Sequence, residues 1–385
     1  MKHLLSFIAN LICMAVSAQT TDIASLILKV KQEYAPDSRT AVFDITATTN
    51  NDSIVLSGSC DNPYAVSQLI KAVSETGSGT VRNEIRLLPD RKLGDNQWGL
   101  ITVGCAHLRS RPSHSAEMVS EAILGTPVYI LEQDESWFRI QTPDHYISWV
   151  HRASIVAMSR QALDRWTQSD RVVYRQSGGY IYTDKRGKEI LSDITLGSIV
   201  ETTGKRTGKY IAVKLPDGRN GYLRKSESTP FSAWIENGFD PEYLETIGRQ
   251  MMGSTYLWGG TSTKGADCSG FVKTIYFAQG IILQRDASQQ AKTGIRIAPQ
   301  HWKECRKGDL LFFGSKNGRV NHVALYLQDG YYIHSSGRVK INSLQSGSEL
   351  YLPTPFLSIS RIDGAINTEG IIQVKDHPWY CFQWK

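Results

Sequence analysis

The chain has 385 residues, 41% hydrophobic and 21% charged, and carries a formal charge of +6 from 43 Lys and Arg against 37 Asp and Glu. This composition excludes a disordered chain and leaves length for roughly two to four compact domains. The mild positive excess is spread without a dense Lys/Arg run, which suits a negatively charged envelope and gives no pattern for nucleic acid.

The opening stretch, MKHLLSFIANLICMAVSAQT, combines a basic start, an apolar run from Leu4 to Val16 and the small residues Ser17 and Ala18. It predicts a cleavable export signal over residues 1–18, with Gln19 as the first mature residue. The run is shorter than the about 20 apolar residues of a membrane anchor, and Ile12 is bulky where lipidation at Cys13 wants a small residue. Loss of Lys2 leaves 42 minus 37, or +5. No later stretch is apolar enough to span a bilayer, so an exported protein, periplasmic or extracellular, is expected. Five cysteines then remain, Cys60, Cys105, Cys268, Cys305 and Cys381. An odd number leaves at least one thiol unpaired. Bridges between Cys60 and Cys105 and between Cys305 and Cys381 stand open against plain buried thiols. There is no CxxC and no tight Cys/His cluster, so neither a metal nor an organic cofactor is implied.

Taken in order, residues 22–35 carry a helical stripe at Ile23, Leu26, Ile27 and Val30 after Asp22 as a cap. TAVFDITATT and SIVLSGSC alternate like strands around an Asn-Asn-Asp turn, AVSQLIKAV is helical, and TVRNEIRLL is a strand. The α-β-β-α-β order over residues 22–90 is a small α+β module that resembles the BON domains of bacterial envelope proteins; it holds no chemistry-bearing constellation and reads as a spacer or adhesion module. Over residues 98–156 the texture turns to short alternating runs, and VYILEQDESWFRIQTPDHYISWV resembles bacterial SH3-like barrels. Residues 165–228 repeat the same order of strand, turn, strand, Pro-Asp-Gly turn and Gly-Tyr strand, which predicts two diverged copies of one barrel. STPFSAWIENGFDPEY reads as the connection to a last domain over residues 240–363, followed by an extension over 364–385 whose aromatics Trp379, Tyr380, Phe382 and Trp384 are expected to bury against a barrel.

The chemistry gathers in the last domain. Asp240 and Pro241 begin a helix that ends near Gly253. In GADCSGFVKTIYFAQG, Phe271, Val272, Ile275 and Tyr276 share a helical face, Asp267 is the cap and Gly280 the stop, so Cys268 falls in the first turn of a buried helix. The positive helix end there is expected to lower the thiol pKa and make a nucleophile, and Gly265 and Gly270 to permit close approach of backbone or substrate. A partner base is needed. In NHVALYLQDGYYIHSSG, a three-residue Gln328-Asp329-Gly330 loop pairs Leu327 with Tyr331 and Ala324 with His334, which sets His322 and His334 on one face as diagonal neighbours. A two-residue loop would split them between faces. Cys268 is thus read as nucleophile, His322 as base and His334 as the group that orients it.

YLWGG, DCSGF, GDLLFFG, NHVALYL and YYIHSSG, in this order, resemble the NlpC-type cell-wall cysteine peptidases over about residues 240–363. The resemblance implies a papain-like α+β fold with a Cys-His-His site on Cys268, His322 and His334, the Cys268 N–H helping to bind the oxyanion, and hydrolysis of murein peptides. The whole chain is therefore expected to be a multidomain α+β protein: the hydrolase domain, two small SH3-like barrels and the amino-terminal module. The branch that joins such a domain to SH3-like barrels, the γ-D-glutamyl-L-diamino acid endopeptidases related to dipeptidyl-peptidase VI, implies stem peptides with a free amino-terminal L-Ala as substrates. It further implies Tyr256, Asp267 and Ser269 from the hydrolase side and Glu117 and Tyr146 from the first barrel as lining of an ammonium pocket, which needs acceptors or a carboxylate. Asp286 and Ser288 in LQRDASQQ are further candidates, with helix capping the alternative for Asp286. A monomer acting on L-Ala-γ-D-Glu-diamino acid peptides is expected. The rival readings are an endopeptidase on polymeric murein with wall-binding barrels, and a noncatalytic wall-binding protein.

Overall fold

A computed structural model describes residues 23–50 and 53–382; the export signal, the tip of the Asn-Asn-Asp turn and Trp384 lie outside them. The chain divides into two compact units, Met1–Gly94 and Asp95–Lys385. Among the described residues no helix is long and apolar enough to cross a membrane.

In the first unit a helix over residues 23–34 precedes strands Phe43–Asn50 and Ser53–Cys60, helix Pro63–Ser74 and strand Thr80–Leu87. Asn62 caps the second helix by accepting from the Tyr64 and Ala65 amides, and Pro63 sits at its first position, where no N–H is needed. Ser53–Cys60 is the central strand, antiparallel to Phe43–Asn50 and parallel to Thr80–Leu87. Ile23, Val30, Ile54, Leu56, Leu69 and Val73 close one core between sheet and helices.

The second unit opens with two antiparallel sheets of seven strands each. In the first, the hydrogen-bonded order is Ile155–Met158, Trp98–Ile101, Pro127–Asp134, Trp137–Gln141, Ile147–His151, Cys105–Arg109 and Met118–Ile123. The second runs Ser228–Pro230, Arg171–Tyr174, Ile199–Thr207, Tyr210–Lys214, Asn220–Arg224, Gly178–Tyr182 and Ile190–Thr195. Strand for strand these orders coincide, and a 3-10 turn precedes the edge strand in both, at Arg152–Ser154 and Lys225–Glu227. The sequence repeat is therefore a repeat of topology. Neither sheet closes into the expected barrel: no pairing joins its two outermost strands among the described residues. Bulges, as between Ile130 and Glu132, twist the ladder locally instead of completing it.

The hydrolase region packs helix Cys268–Phe277 on a six-stranded antiparallel sheet ordered Ile295–Ile297, Phe356–Arg361, Leu310–Gly314, Val320–Tyr326, Tyr331–Ser336 and Arg338–Ser343. Phe271, Val272 and Ile275 of the helix meet Phe312, Val323, Leu325 and Ile333 of the sheet in one buried cluster. Burying side chains of this size contributes about 1.5–3 kcal/mol apiece, and here it fixes the helix start over the two central strands. Gly270 is required by a close approach, since a Cβ there would lie 1.9 Å from the Gly260 carbonyl oxygen. It is backbone that this glycine admits.

The terminal extension holds the pieces of this unit together. Ile371–Gln373 pairs antiparallel with Ile281–Leu283, the His377 Nε2 donates to the Pro143 carbonyl at 3.1 Å, and Trp379 packs its ring 5.2 Å from Trp98 of the first sheet. Tyr380 is fully buried. Of the aromatics expected to bury, Tyr380 does so and Trp379 and Phe382 are half-buried. Cys60, Cys105, Cys268, Cys305 and Cys381 are all free thiols, so within the second unit Cys305 and Cys381 do not form the open bridge.

Candidate active site

Helix Cys268–Phe277 begins where Asp267 turns into the cap, its Oδ1 accepting from the Gly270 amide at 2.7 Å. Cys268 is the first helical residue and is buried. Its sulfur lies against the strand that carries His322: the nearest acceptor is the Asn321 carbonyl, 4.0 Å from Sγ, and the Val323 and Ser269 amides also favour its anion. No hydrogen bond joins Sγ to the His322 ring, a looseness common before substrate binds.

The two histidines stand on neighbouring central strands. Leu325 pairs with Ile333 and Tyr326 with Tyr332, the Leu327 amide donates to the Tyr331 carbonyl, and Asp329 and Gly330 both take positive φ in the loop, at 51° and 77°. This is the three-residue-loop register. Continued by one pair it sets His334 opposite Ala324, diagonal to His322, and the rings meet with His322 Nε2 and His334 Nδ1 2.6 Å apart. His334 is wholly buried, and its Nε2 lies 2.9 Å from Asn342 Oδ1 on the next strand. Asn342 was not singled out from the sequence. The diagonal rule that joins 322 to 334 reaches it, because His334 pairs with Lys340 two residues before it.

Protonation departs from the expected thiolate. Burial and the Asp267 charge push the Cys268 thiol up to about 11, outweighing the flanking amides and Arg285. Burial, His334 and Lys340 push His322 down to about 3, and burial pushes His334 down to about 4 against the pull of its Asn342 hydrogen bond. The positive helix end is the weaker influence because the same turn carries a carboxylate. The resting site is a neutral thiol beside a neutral imidazole. Tyr256, half-buried, is held as a neutral phenol at about 12, chiefly by burial, with the Asp267 carboxylate adding to it.

Asp267 is occupied by the protein itself. Its Oδ1 accepts from Gly270 N, the Ser269 hydroxyl and Arg285 Nη1, and its Oδ2 from Gly259 N at 3.0 Å and Arg285 Nη2 at 2.5 Å. Five donors fill a carboxylate that offers about four lone-pair sites, so in this structure Asp267 is the expected cap and also half of a buried ion pair. Ser269 is drawn into the same network, accepting from Arg285 Nη1 at 3.1 Å. Burial opposes charge on Arg285, but Asp267 overrides it and holds the guanidinium above its usual range. Arg285 was also missed in the sequence; its only signal is a charge closing the apolar run of IILQRD. Asp286 caps the short helix Ala287–Gln290 in a capping box with Gln289, the capping alternative, while its side chain stays about 30% exposed and 3.9 Å from Arg285. Tyr146 is buried within the field of Arg285, and Ser288 lies half-buried in the turn after Asp286. Glu117 of the first SH3-like sheet region is exposed, and its Oε1 accepts from Trp258 Nε1 at 2.7 Å, two residues from Tyr256. The structure thus gathers Asp267, Ser269 and Asp286 around Arg285, with Tyr146 and Tyr256 in the field of its charge, and separately joins Glu117 to Trp258.

Comparison with known proteins fits this arrangement. The NlpC/P60 family model matches residues 253–352, and the model of the bacterial dipeptidyl-peptidase Sh3 domain matches residues 108–155. A dipeptidyl-peptidase 6 of Lysinibacillus sphaericus is 30% identical over 257 residues, covering 64% of this chain and 91% of that protein. The chain belongs to the NlpC/P60 family. A γ-D-glutamyl-L-lysine dipeptidyl-peptidase of Bacillus cereus is 28% identical over 235 residues, 58% of this chain and 68% of that protein. The crystal structure of an NlpC/P60 family protein from Bacillus cereus matches with a TM-score of 0.59 at 23% identity, covering 69% of this chain and 99% of that one. That likeness is one of fold. As an NlpC/P60 cysteine peptidase the chain keeps its SH3-like sheets on the same polypeptide as the hydrolase region, as the sequence leads one to expect.

Proposed function

We propose that this NlpC/P60 protein hydrolyses the γ-D-glutamyl-L-diamino acid bond of murein stem peptides that carry a free amino-terminal L-Ala, with Cys268, His322 and His334 as its catalytic residues. The reading is carried by the Trp258–Glu117 hydrogen bond, which holds a carboxylate of the SH3-like region at the loop leading into the nucleophile helix. Asp267 is neutralised by Arg285, so Glu117 and the half-exposed Asp286 supply the negative field for a substrate ammonium. The similarity to the γ-D-glutamyl-L-lysine dipeptidyl-peptidase of Bacillus cereus supports the same substrate class.

The steps follow from the protonation states. His322 spends Nε2 on His334, which leaves Nδ1 as the ring nitrogen for the thiol proton. As Sγ bonds the γ-carbonyl carbon, its proton passes to Nδ1 and the carbonyl electron pair moves to oxygen, received by the Cys268 N–H, a first-turn amide without an intrahelical acceptor. Collapse breaks the C–N bond, and the leaving amine takes the proton from His322. Water then gives a proton to the same nitrogen and attacks the thioester, releasing the acid and restoring the thiol.

Mass spectrometry of products from defined muropeptides tests the reading. L-Ala-γ-D-Glu-diaminopimelate should be cut between its last two residues, its amino-acetylated form should resist, and Cys268→Ala should bind the peptide without turnover. Release of fragments from purified sacculi would favour the second reading, an endopeptidase on polymeric murein. One observation speaks for that alternative: Tyr180, Tyr182, Tyr210 and Tyr222 line one solvent-facing side of the second sheet with Arg224 over the Tyr182 ring. Consistent with either, we read residues 1–18 as an export signal that takes the enzyme to the periplasm or beyond, and residues 22–90 as a BON-like module; the boundaries 98–156, 165–228, 240–363 and 364–385 are proposed for the remaining parts.

A further inference from the structure

We propose that Asn342 is a positioning residue of this site: its side-chain amide, locked by the Leu350 carbonyl, fixes the ring tautomers of His334 and His322 and so leaves the His322 Nδ1 lone pair for the Cys268 thiol. The proposal deepens the catalytic reading above and rests on it.

Asn342 Nδ2 donates to the Leu350 carbonyl oxygen at 2.8 Å. A carbonyl only accepts, so the amide cannot be turned over, and Oδ1 must be the atom 2.9 Å from His334 Nε2. Oδ1 accepts, so His334 carries hydrogen on Nε2. A neutral imidazole has one N–H; His334 Nδ1 is then a lone pair and must accept across the 2.6 Å contact, which requires hydrogen on His322 Nε2. His322 therefore presents Nδ1 bare. Both rings are neutral near pH 7, since burial holds them down to about 3 and about 4. Without Asn342 nothing chooses between the two directions of the relay, and the reversed one puts a hydrogen on His322 Nδ1, where it blocks proton uptake from sulfur.

Asp and Leu at this position separate the tautomer role from a mere grip on the Leu350 loop. Asn342→Asp still accepts from His334 but cannot donate to Leu350; Asn342→Leu does neither. With full-length enzyme and L-Ala-γ-D-Glu-diaminopimelate, Asn342→Leu is expected to lose about 10- to 100-fold in kcat with KM little changed, as for loss of groups that orient a catalytic histidine, and Asn342→Asp to recover most of it. Ring 15N NMR of the substrate-free protein should show both histidines protonated at Nε2 in the native enzyme and a mixture in Asn342→Leu. Equal losses in the two variants with unchanged tautomers, or a native His322 protonated at Nδ1, would overturn the proposal. The NMR reading needs no substrate, so an enzyme inactive on every stem peptide would sink the functional reading while leaving the tautomer assignment standing or falling separately.

Discussion

A thiol held up to about 11 and an imidazole held down to about 3 do not form an ion pair at neutral pH. On the proposed mechanism the nucleophile is made during attack, by proton transfer, and is not stored beforehand. In the substrate-free enzyme, alkylation of Cys268 by iodoacetamide, read at its own peptide by mass spectrometry, should therefore keep accelerating from pH 7 to pH 10; a plateau reached near neutrality would show a preformed thiolate and defeat this account. Glu117, proposed above to face the substrate ammonium, is tested at the same scale. Glu117→Gln keeps an oxygen for Trp258 Nε1 but removes the charge. A hydrogen bond to a charged group contributes about 1.5–3 kcal/mol, so kcat/KM on free-amine peptides should fall by about 10- to 100-fold, while the slow reaction of an amino-acetylated peptide should hardly change. Equal losses on both would assign Glu117 a structural part only.

Between elements, the nucleophile helix is tied to the first SH3-like sheet by a buried pair. Lys273, on the same helix as Cys268, gives hydrogen bonds from Nζ to Asp144 Oδ2 at 2.7 Å and to the Leu283 carbonyl at 2.9 Å, and Asp144 also accepts from the Thr142 hydroxyl. Burial pushes Lys273 down, yet Asp144 keeps its charge matched. Removing one partner of such a pair costs about 3–5 kcal/mol because a charge is left uncompensated, whereas replacing both by apolar groups is often neutral. Asp144→Leu should thus lower the urea midpoint strongly, and Asp144→Leu with Lys273→Met should regain most of the loss. If the double variant is no more stable than the single one, the pair is not what the helix stands on. This tie was not legible in the sequence, where Lys273 and Asp144 are separated by 129 residues and each reads as a solvated charge. The placement of Cys268 at a helix start and of His322 beside His334 was legible because local rules suffice: a cap, an apolar helical face and a loop length fix it. Asp267 was found as the helix cap, but its partner Arg285 was not; and the pKa of Cys268 follows from burial, which no local pattern encodes.

At the scale of the whole chain, the parts of the second unit share buried histidines that acid can reach. His377 in the terminal extension donates from Nε2 to the Pro143 carbonyl and accepts at Nδ1 from the Trp379 amide, so a second ring proton has no place. Burial, with a smaller push from His145 and against the pull of Asp144, holds it down to about 4. His322 and His334 are pushed the same way, for the same principal reason. A histidine has an ordinary value near 6.5 in an unfolded chain. As pH falls below that value the unfolded chain binds protons that the folded one refuses, and folding stability drops until the folded-state values near 4 are reached; above about 6.5 these residues contribute no pH dependence. For His377 the shift from 6.5 to about 4 corresponds to at most about 3 kcal/mol. Urea unfolding followed at pH 7.5 and pH 4.5 should show the native protein losing stability on acidification, and His377→Gln, which can still donate to Pro143 without titrating, losing less by up to that amount. Parallel losses in the two proteins would mean that the extension does not carry the acid sensitivity and that the active-site pair, or the Asp144 carboxylate whose value is lowered by Lys273, carries it instead.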